Sequence, residues 1–182
     1  FDLDGTLLDS MPYLEDLAVH HMTTPGTYPI SEETARRIYR DTVGMPFRLQ
    51  LEFSVLKQHT SNPEVARRFE RDKEKLYPGL TLFSDVQGAM ASLEHLYHDM
   101  AIVSSTREKL VYQVAMKHKL PAMTFGYNGR GRWDKVKQLE NLAFMYDKEY
   151  VIFVGDSPRD YNFARQAGVK FVGIARPNSK VG

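Results

Sequence analysis

Apolar residues along the chain fall into two alternating patterns. Four short runs read as buried strands: Phe1 to Leu3, Met100 to Val103, Val151 to Val154, and Phe171 to Ile174. The last three are rich in Val, Ile and Phe and are bounded by Gly, Ser or charged residues. A weaker run, Met123 to Phe125, predicts a fifth strand. Between the runs the apolar residues recur at helical spacing. Val86, Met90, Leu93 and Leu96 share one face, with Ser84 placed to cap its start. Leu110, Val111 and Val114 do the same after Thr106, as do Val136, Leu139, Leu142 and Ala143. Tyr161, Ala164 and Arg165 lie on a further helix, which Gly168 is placed to end. Strands alternating with helices predict an α/β fold, a parallel sheet with helices on both faces.

Residues from about Met11 to about Tyr77 break that rhythm, with no convincing strand. The pattern there predicts helices over Tyr13 to His21, Ser31 to Thr42, Pro46 to Lys57, and Pro63 to Leu76, the last capped by Asn62. Turn chemistry flanks the stretch at Ser10-Met11-Pro12 and Tyr77-Pro78-Gly79. The expected organisation is a core domain of residues 1–12 and 78–182, with a small helical domain of residues 13–77 inserted. Phe1-Asp2-Leu3 is shorter than the roughly 5–6 residues of an ordinary strand, so further residues are expected upstream of it.

Composition narrows the classes. The 182 residues carry a formal net charge of +1, which argues against a nucleic-acid binder and against an acidic tail. The absence of cysteine removes disulfides, thiolate metal sites and cysteine nucleophiles together, and fits a reducing, cytoplasmic setting. No apolar run reaches bilayer length, so no membrane partner is expected.

The candidate chemistry lies where strands end. Asp2 and Asp4 stand two apart at the end of the first run, and Gly5 permits a sharp turn after them. In open α/β sheets ligands bind beyond the carboxyl ends of strands, so both acids face the expected site. After Ala101-Ile102-Val103 come Ser104-Ser105-Thr106, leading into a helix. Their hydroxyls and backbone N–H groups can hold a phosphate, although Ser and Thr are also routine helix caps. Lys135 stands at a helix start, where a cation is electrostatically unfavourable, and this raises its claim to a functional role. Val151 to Val154 runs into Gly155-Asp156-Ser157-Pro158-Arg159-Asp160, which adds two carboxylates four apart.

In this order the motifs resemble the haloacid dehalogenase superfamily: Asp2-Leu3-Asp4-Gly5-Thr6, Ser104, Lys135, and Gly155-Asp156 with Asp160. The resemblance covers nearly the whole chain and implies a Rossmann-like core with an inserted helical cap. It implies that Asp2 attacks phosphorus to form an aspartyl-phosphate. It places Mg²⁺ on Asp2, the backbone carbonyl of Asp4, and Asp156, with Asp160 as a nearby outer or alternative ligand. Asp4 protonates the leaving alcohol, while Ser104 and Lys135 hold the phosphoryl oxygens. Thr6 and Ser105 are expected as further substrate contacts.

Asp4 separates the branches of the superfamily. Its dehalogenases and phosphonate hydrolases lack an acid at that position, whereas phosphate ester cleavage needs one because an alkoxide is a poor leaving group. A phosphatase acting on a small phosphorylated metabolite is therefore the leading expectation, as a monomer with no nucleic-acid partner. The alternatives are a hexose-phosphate mutase, which has a cap histidine where this chain has Leu14, and a catalytically silent binding module. Sugar phosphates, phosphoglycolate and nucleotides all stay open as substrates. In the helical segment, adjacent His20 and His21 read as a solvated edge. Arg36, Arg37 and Arg40, with Arg67, Arg68 and Arg71, read as soluble faces balanced by acids. The loop Thr42 to Arg48 contains Gly44 and Pro46, and Arg48 is the candidate there for a second anionic group of the substrate.

Overall fold

The structure, a computed structural model, describes residues 1–96, 99–128 and 134–176. In chain order its elements are α1 (Met11–Thr23), α2 (Glu32–Thr42), α3 (Phe47–Glu52), α4 (Asn62–Leu76), a 3₁₀ turn at Tyr77–Gly79, α5 (Val86–His95), β1 (Ala101–Arg107), α6 (Glu108–Lys117), β2 (Met123–Tyr127), α7 (Lys135–Tyr146), β3 (Ile152–Gly155), α8 (Pro158–Ala167) and β4 (Lys170–Gly173). The chain divides into two compact units, Ser10–Gly79 and Phe1–Asp9 with the residues from Leu80 onward.

The α/β unit is built on parallel pairing. β1 pairs with β2 in the register Ile102 to Thr124, and β3 pairs with β4 in the register Phe153 to Phe171. The first residues join the two pairs. Phe1 N–H donates to the Ala101 carbonyl at 2.7 Å, and Val103 N–H donates to the Phe1 carbonyl at 2.8 Å. Asp2 N–H donates to the Val154 carbonyl at 2.8 Å. The order across the sheet is therefore β2, β1, the Phe1–Asp2 segment, β3, β4. That segment leaves the sheet at Leu3, whose carbonyl takes the N–H groups of Thr6, Leu7 and Leu8 instead of a strand neighbour.

Both faces of β1 are covered. Ile102 and Val103 point to opposite faces, as neighbours in a strand must, and both are buried. Val103 joins Phe153 with Leu139 and Leu142 of α7, Ala164 of α8, and Val169 in one apolar cluster. That cluster fixes α7 and α8 against the strands, and so fixes the ends of both helices beside the ends of β1 and β3.

Local expectations change at several points. Ser104-Ser105-Thr106 lead into α6 from within β1, which continues through them to Arg107 with a register irregularity after Val103. The Ser104 Oγ accepts the Thr106 N–H at 3.1 Å and the Thr106 hydroxyl is donated elsewhere, so neither caps α6. Ser84 does not cap α5, which starts at Val86 without a side-chain cap. The third helix of the inserted segment ends at Glu52 instead of Lys57. The Ser54 hydroxyl donates to the Leu51 carbonyl and accepts the Leu56 N–H, a local turn that competes with helix continuation.

In the helical unit α1 packs on α2 and α4, and α3 packs on α4. Phe47 stacks on Phe69 with ring centroids 4.0 Å apart. The expected balance of arginines by acids is seen at α1: Glu15 accepts from Arg36 and Arg40, and Asp16 accepts from Arg36. His21 is buried rather than a solvated edge, with Nε2 3.1 Å from Asp72 of α4, and burial holds it toward the neutral form. Asn62 is also buried and does not cap α4. It donates to the Leu56 carbonyl at 2.9 Å and accepts the Tyr28 hydroxyl at 2.6 Å, tying two loops to the helix start. Asn62→Ala strands both partners, and is expected to lower stability by about 1–3 kcal/mol. Urea unfolding followed by circular dichroism checks this; an unchanged midpoint would contradict the assigned role.

Candidate active site

The site forms around the turn that follows Asp2. Leu3 is wholly buried, and its carbonyl gathers three successive N–H groups, so the chain curls immediately after Asp4. Gly5 sits at φ +82°, a left-handed conformation that a side chain would disfavour. The curl leaves Asp4 half-buried, with Oδ2 accepting the Thr106 hydroxyl at 2.6 Å. It also buries Thr6 completely, and the Thr6 hydroxyl donates to Asp156 Oδ1 at 2.9 Å. The loop after the first segment is thus tied to the ends of both neighbouring strands, β1 through Thr106 and β3 through Asp156.

Lys135, the first residue of α7, supplies the second tie. Its Nζ donates to Asp2 Oδ1 at 2.9 Å and to Asp160 Oδ1 at 3.0 Å, and the lysine side chain is about fully buried. Rings of Phe153 and Phe163 lie 5.5 and 5.6 Å from the ammonium. Asp160 is held from its other side by a capping box at the start of α8. The Ser157 hydroxyl and N–H donate to Asp160 Oδ2, and the Asp160 N–H donates to the Ser157 Oγ. Gly155 makes room for this arrangement: a Cβ there would lie 2.6 Å from the Asp160 Cβ.

The charges do not balance among these groups. Carboxylate oxygens of Asp2, Asp156 and Asp160 all lie within 4.8 Å of one another, and Lys135 is the cation that bonds two of them. Burial, followed by repulsion from Asp160, pushes the Asp156 carboxyl up to about 6. Burial likewise raises Asp2, with Asp160 and Asp156 adding to the effect and Lys135 opposing it. Burial works against the Lys135 charge, but Asp160 and Asp2 outweigh it and hold the lysine above its ordinary value. A cluster of oxygen donors with surplus negative charge suits a hard divalent cation such as Mg²⁺, so the donor set fits the expected metal.

The structure therefore brings Asp2, Asp156, Asp160 and Lys135 together, and holds Asp4 against Thr106 near the end of β1. Ser104 lies in the same region, buried, one residue past the apolar part of β1, with Ser105 beside it half-buried. Thr6, expected as a substrate contact, gives its hydroxyl to Asp156. Arg48 lies on α3 in the helical unit and is exposed. Sequence reasoning missed the roles of Thr106, Ser157 and Arg176. The S/T-x-x-D pattern of Ser157 to Asp160 carried the capping-box signal. Nothing local marked Thr106 as the partner of Asp4, or Arg176 as a partner of Thr6.

Known proteins resemble this chain in sequence and in fold. Residues 1–174 match the family model described as haloacid dehalogenase-like hydrolase. A phosphoglycolate phosphatase from Synechococcus elongatus is 26% identical, covering 96% of this chain and 81% of that protein. The phosphoglycolate phosphatase of Vibrio cholerae is 25% identical, covering 96% and 82%. Among solved structures, a haloacid dehalogenase-like family hydrolase from Streptococcus pneumoniae superposes with a TM-score of 0.76 at 18% identity, covering 96% of this chain and 82% of the other. Among the described residues, no helix is long and apolar enough to cross a membrane.

The two acids after β3 should differ in what they do for stability. Asp160→Ala removes a partner from a buried ammonium and breaks the capping box, and should cost about 3–5 kcal/mol. Asp156→Asn relieves repulsion among the carboxylates, and should leave stability unchanged or raise it. Urea titrations of both variants in metal-free buffer make the comparison. Equal losses would show that Asp160 has no special structural share.

Proposed function

The chain belongs to the haloacid dehalogenase-like hydrolase family and is a phosphatase, and from that premise we propose that it cleaves a small phosphomonoester with Asp2 as nucleophile and Mg²⁺ as cofactor. The observation that carries the reading is the Lys135 bridge between Asp2 and Asp160. A lysine held this way fixes the rotamer of Asp2 and leaves its second carboxylate oxygen for chemistry. Asp2 and Asp156 are the side chains that would hold the metal. When bound, Mg²⁺ would neutralise the repulsion between a carboxylate nucleophile and a dianionic phosphate.

The residues divide the reaction between them. An Asp2 oxygen forms a bond to phosphorus while the bond from phosphorus to the substrate's ester oxygen breaks. Asp4 gives its proton to that departing oxygen, which leaves as an alcohol. Water then attacks the aspartyl-phosphate, Asp4 takes a proton from that water, and the bond to Asp2 breaks to release inorganic phosphate. The Thr106 hydroxyl donated to Asp4 Oδ2 orients the acid. In this reading Lys135 and Ser104 offset charge on the phosphoryl oxygens as the group passes between the two oxygens. Relatives named phosphoglycolate phosphatases put that two-carbon acid phosphate first among candidate substrates.

The direct experiment is turnover of a panel of phosphorylated metabolites, headed by phosphoglycolate, with and without Mg²⁺. Chelation by EDTA should abolish phosphate release and added Mg²⁺ should restore it. Asp2→Asn should lower kcat by several orders of magnitude while the protein stays folded. Full activity in EDTA, or in the Asp2→Asn variant, would refute the reading.

Asp4 allows a finer test. An alkyl phosphate has a poor leaving group, whereas p-nitrophenolate leaves without a proton. Asp4→Asn should therefore slow phosphoglycolate cleavage by roughly 10²–10⁴-fold and p-nitrophenyl phosphate far less. Equal losses on both substrates would remove Asp4 from the acid's role.

A further inference from the structure

Arg176 lies just past the end of β4, 170 positions from Thr6 in the chain, and its side chain is buried to 10% exposure. Its guanidinium makes a fork on one atom: Nε donates to the Thr6 carbonyl at 3.1 Å and Nη2 donates to the same oxygen at 2.6 Å. Nη1 donates to Asp85 Oδ1 at 2.6 Å. The planar group lies over the Phe83 ring, 4.3 Å from its centroid. Stacking on one side and three directed bonds in the plane leave the guanidinium little freedom.

The residue it grips is the one that reaches the acidic cluster. Thr6 has its carbonyl held by Arg176 while its hydroxyl donates to Asp156 Oδ1. Thr6 follows Gly5, whose left-handed φ turns the loop after Asp4. The Thr6 N–H is spent on the Leu3 carbonyl at 3.3 Å. Backbone N–H, backbone carbonyl and side-chain hydroxyl are thus each fixed by a different partner, and only the hydroxyl points toward the site. We propose that Arg176 is a positioning residue of the phosphatase: it clamps the Thr6 carbonyl, and through the Thr6 hydroxyl it sets the orientation of Asp156. The inference rests on the assignment of Asp156 as a metal-holding carboxylate.

A lysine cannot replace this fork. An ammonium is a point charge that cannot stack flat on Phe83 while sending two parallel N–H groups to one carbonyl. Partners behind a metal-binding carboxylate commonly change affinity by about 10–100-fold when removed. Arg176 acts one residue further back, so its loss should fall at the lower end of that range, about tenfold.

The test measures Mg²⁺ binding to the metal-free protein by isothermal titration calorimetry, independently of turnover. Arg176→Ala should weaken Mg²⁺ binding about tenfold and lower kcat, with KM for phosphoglycolate within about twofold of the parent. Arg176→Lys should recover less than half of the loss on a logarithmic scale, and added methylguanidinium should restore Arg176→Ala toward parent affinity. Thr6→Val removes the hydroxyl donor while keeping the shape. Combined with Arg176→Ala it should weaken Mg²⁺ binding no more than the stronger single variant, because both act along one path. Mg²⁺ affinity unchanged in Arg176→Ala, or additive losses in the double variant, would overturn the proposal and leave Arg176 a structural clamp. If Arg176→Ala does not fold, the same measurements on Arg176→Lys decide, with parent-like affinity overturning the proposal. Asp156→Asn is measured alongside. Unchanged Mg²⁺ binding in that variant would refute the metal assignment itself, whereas a loss there with none in Arg176→Ala refutes only the role of Arg176.

Discussion

A buried ammonium shared by two carboxylates anchors the site. Lys135 reaches Asp2 from α7 and Asp160 from α8, so two helices and the first chain segment meet at one nitrogen. The surroundings are apolar, with Phe153 and Phe163 beside the charge and the cluster of Val103, Leu139 and Leu142 close by in the fold. In such surroundings an unpaired charge would be very costly, so each of the three groups needs the other two. Movement of α7 or α8 along the sheet would break the set, and their placement is accordingly constrained by chemistry as well as by packing.

The pairing leaves the cluster short of positive charge. Lys135 bonds Asp2 and Asp160, but Asp156 has a neutral partner, the Thr6 hydroxyl. The raised carboxyl of Asp156 and the raised carboxyl of Asp2 express the same surplus of negative charge under burial. A site built this way favours whatever brings compensating positive charge and accepts oxygen ligands. It also divides labour among similar residues. Asp160 faces the protein on both of its oxygens, whereas Asp4 is turned toward Thr106 and takes no part in the cluster of three.

The inserted helical unit follows different rules. Its elements are held by an aromatic stack at Phe47 and Phe69, by ion pairs from Glu15, and by the buried amide of Asn62. Arg36 and Arg40 are spent on neighbouring acids, Glu15 and Asp16. Polar side chains that resemble surface residues in the one-dimensional pattern, His21 and Asn62 among them, are inside it.

The sequence alone carried the alternation of strands and helices, because buried parallel strands need short continuous apolar runs and their covering helices need a spaced stripe. It also carried the acids, since Asp2, Asp4, Asp156 and Asp160 stand at strand ends beside Gly5 and Gly155, and strand ends in such sheets converge. What it could not carry was the pairing of those acids. Asp160, expected as an outer or alternative metal ligand, also holds Lys135; Thr6, expected as a substrate contact, also holds Asp156; Ser104 to Thr106, expected to lead into a helix, lie in the strand before it. Thr106 meets Asp4 across 102 positions and Arg176 meets Thr6 across 170. Periodicity reports which face of an element is buried. A hydrogen bond between loops far apart in the chain depends on distances of a few tenths of an ångström, and only the packed sheet and helices set those.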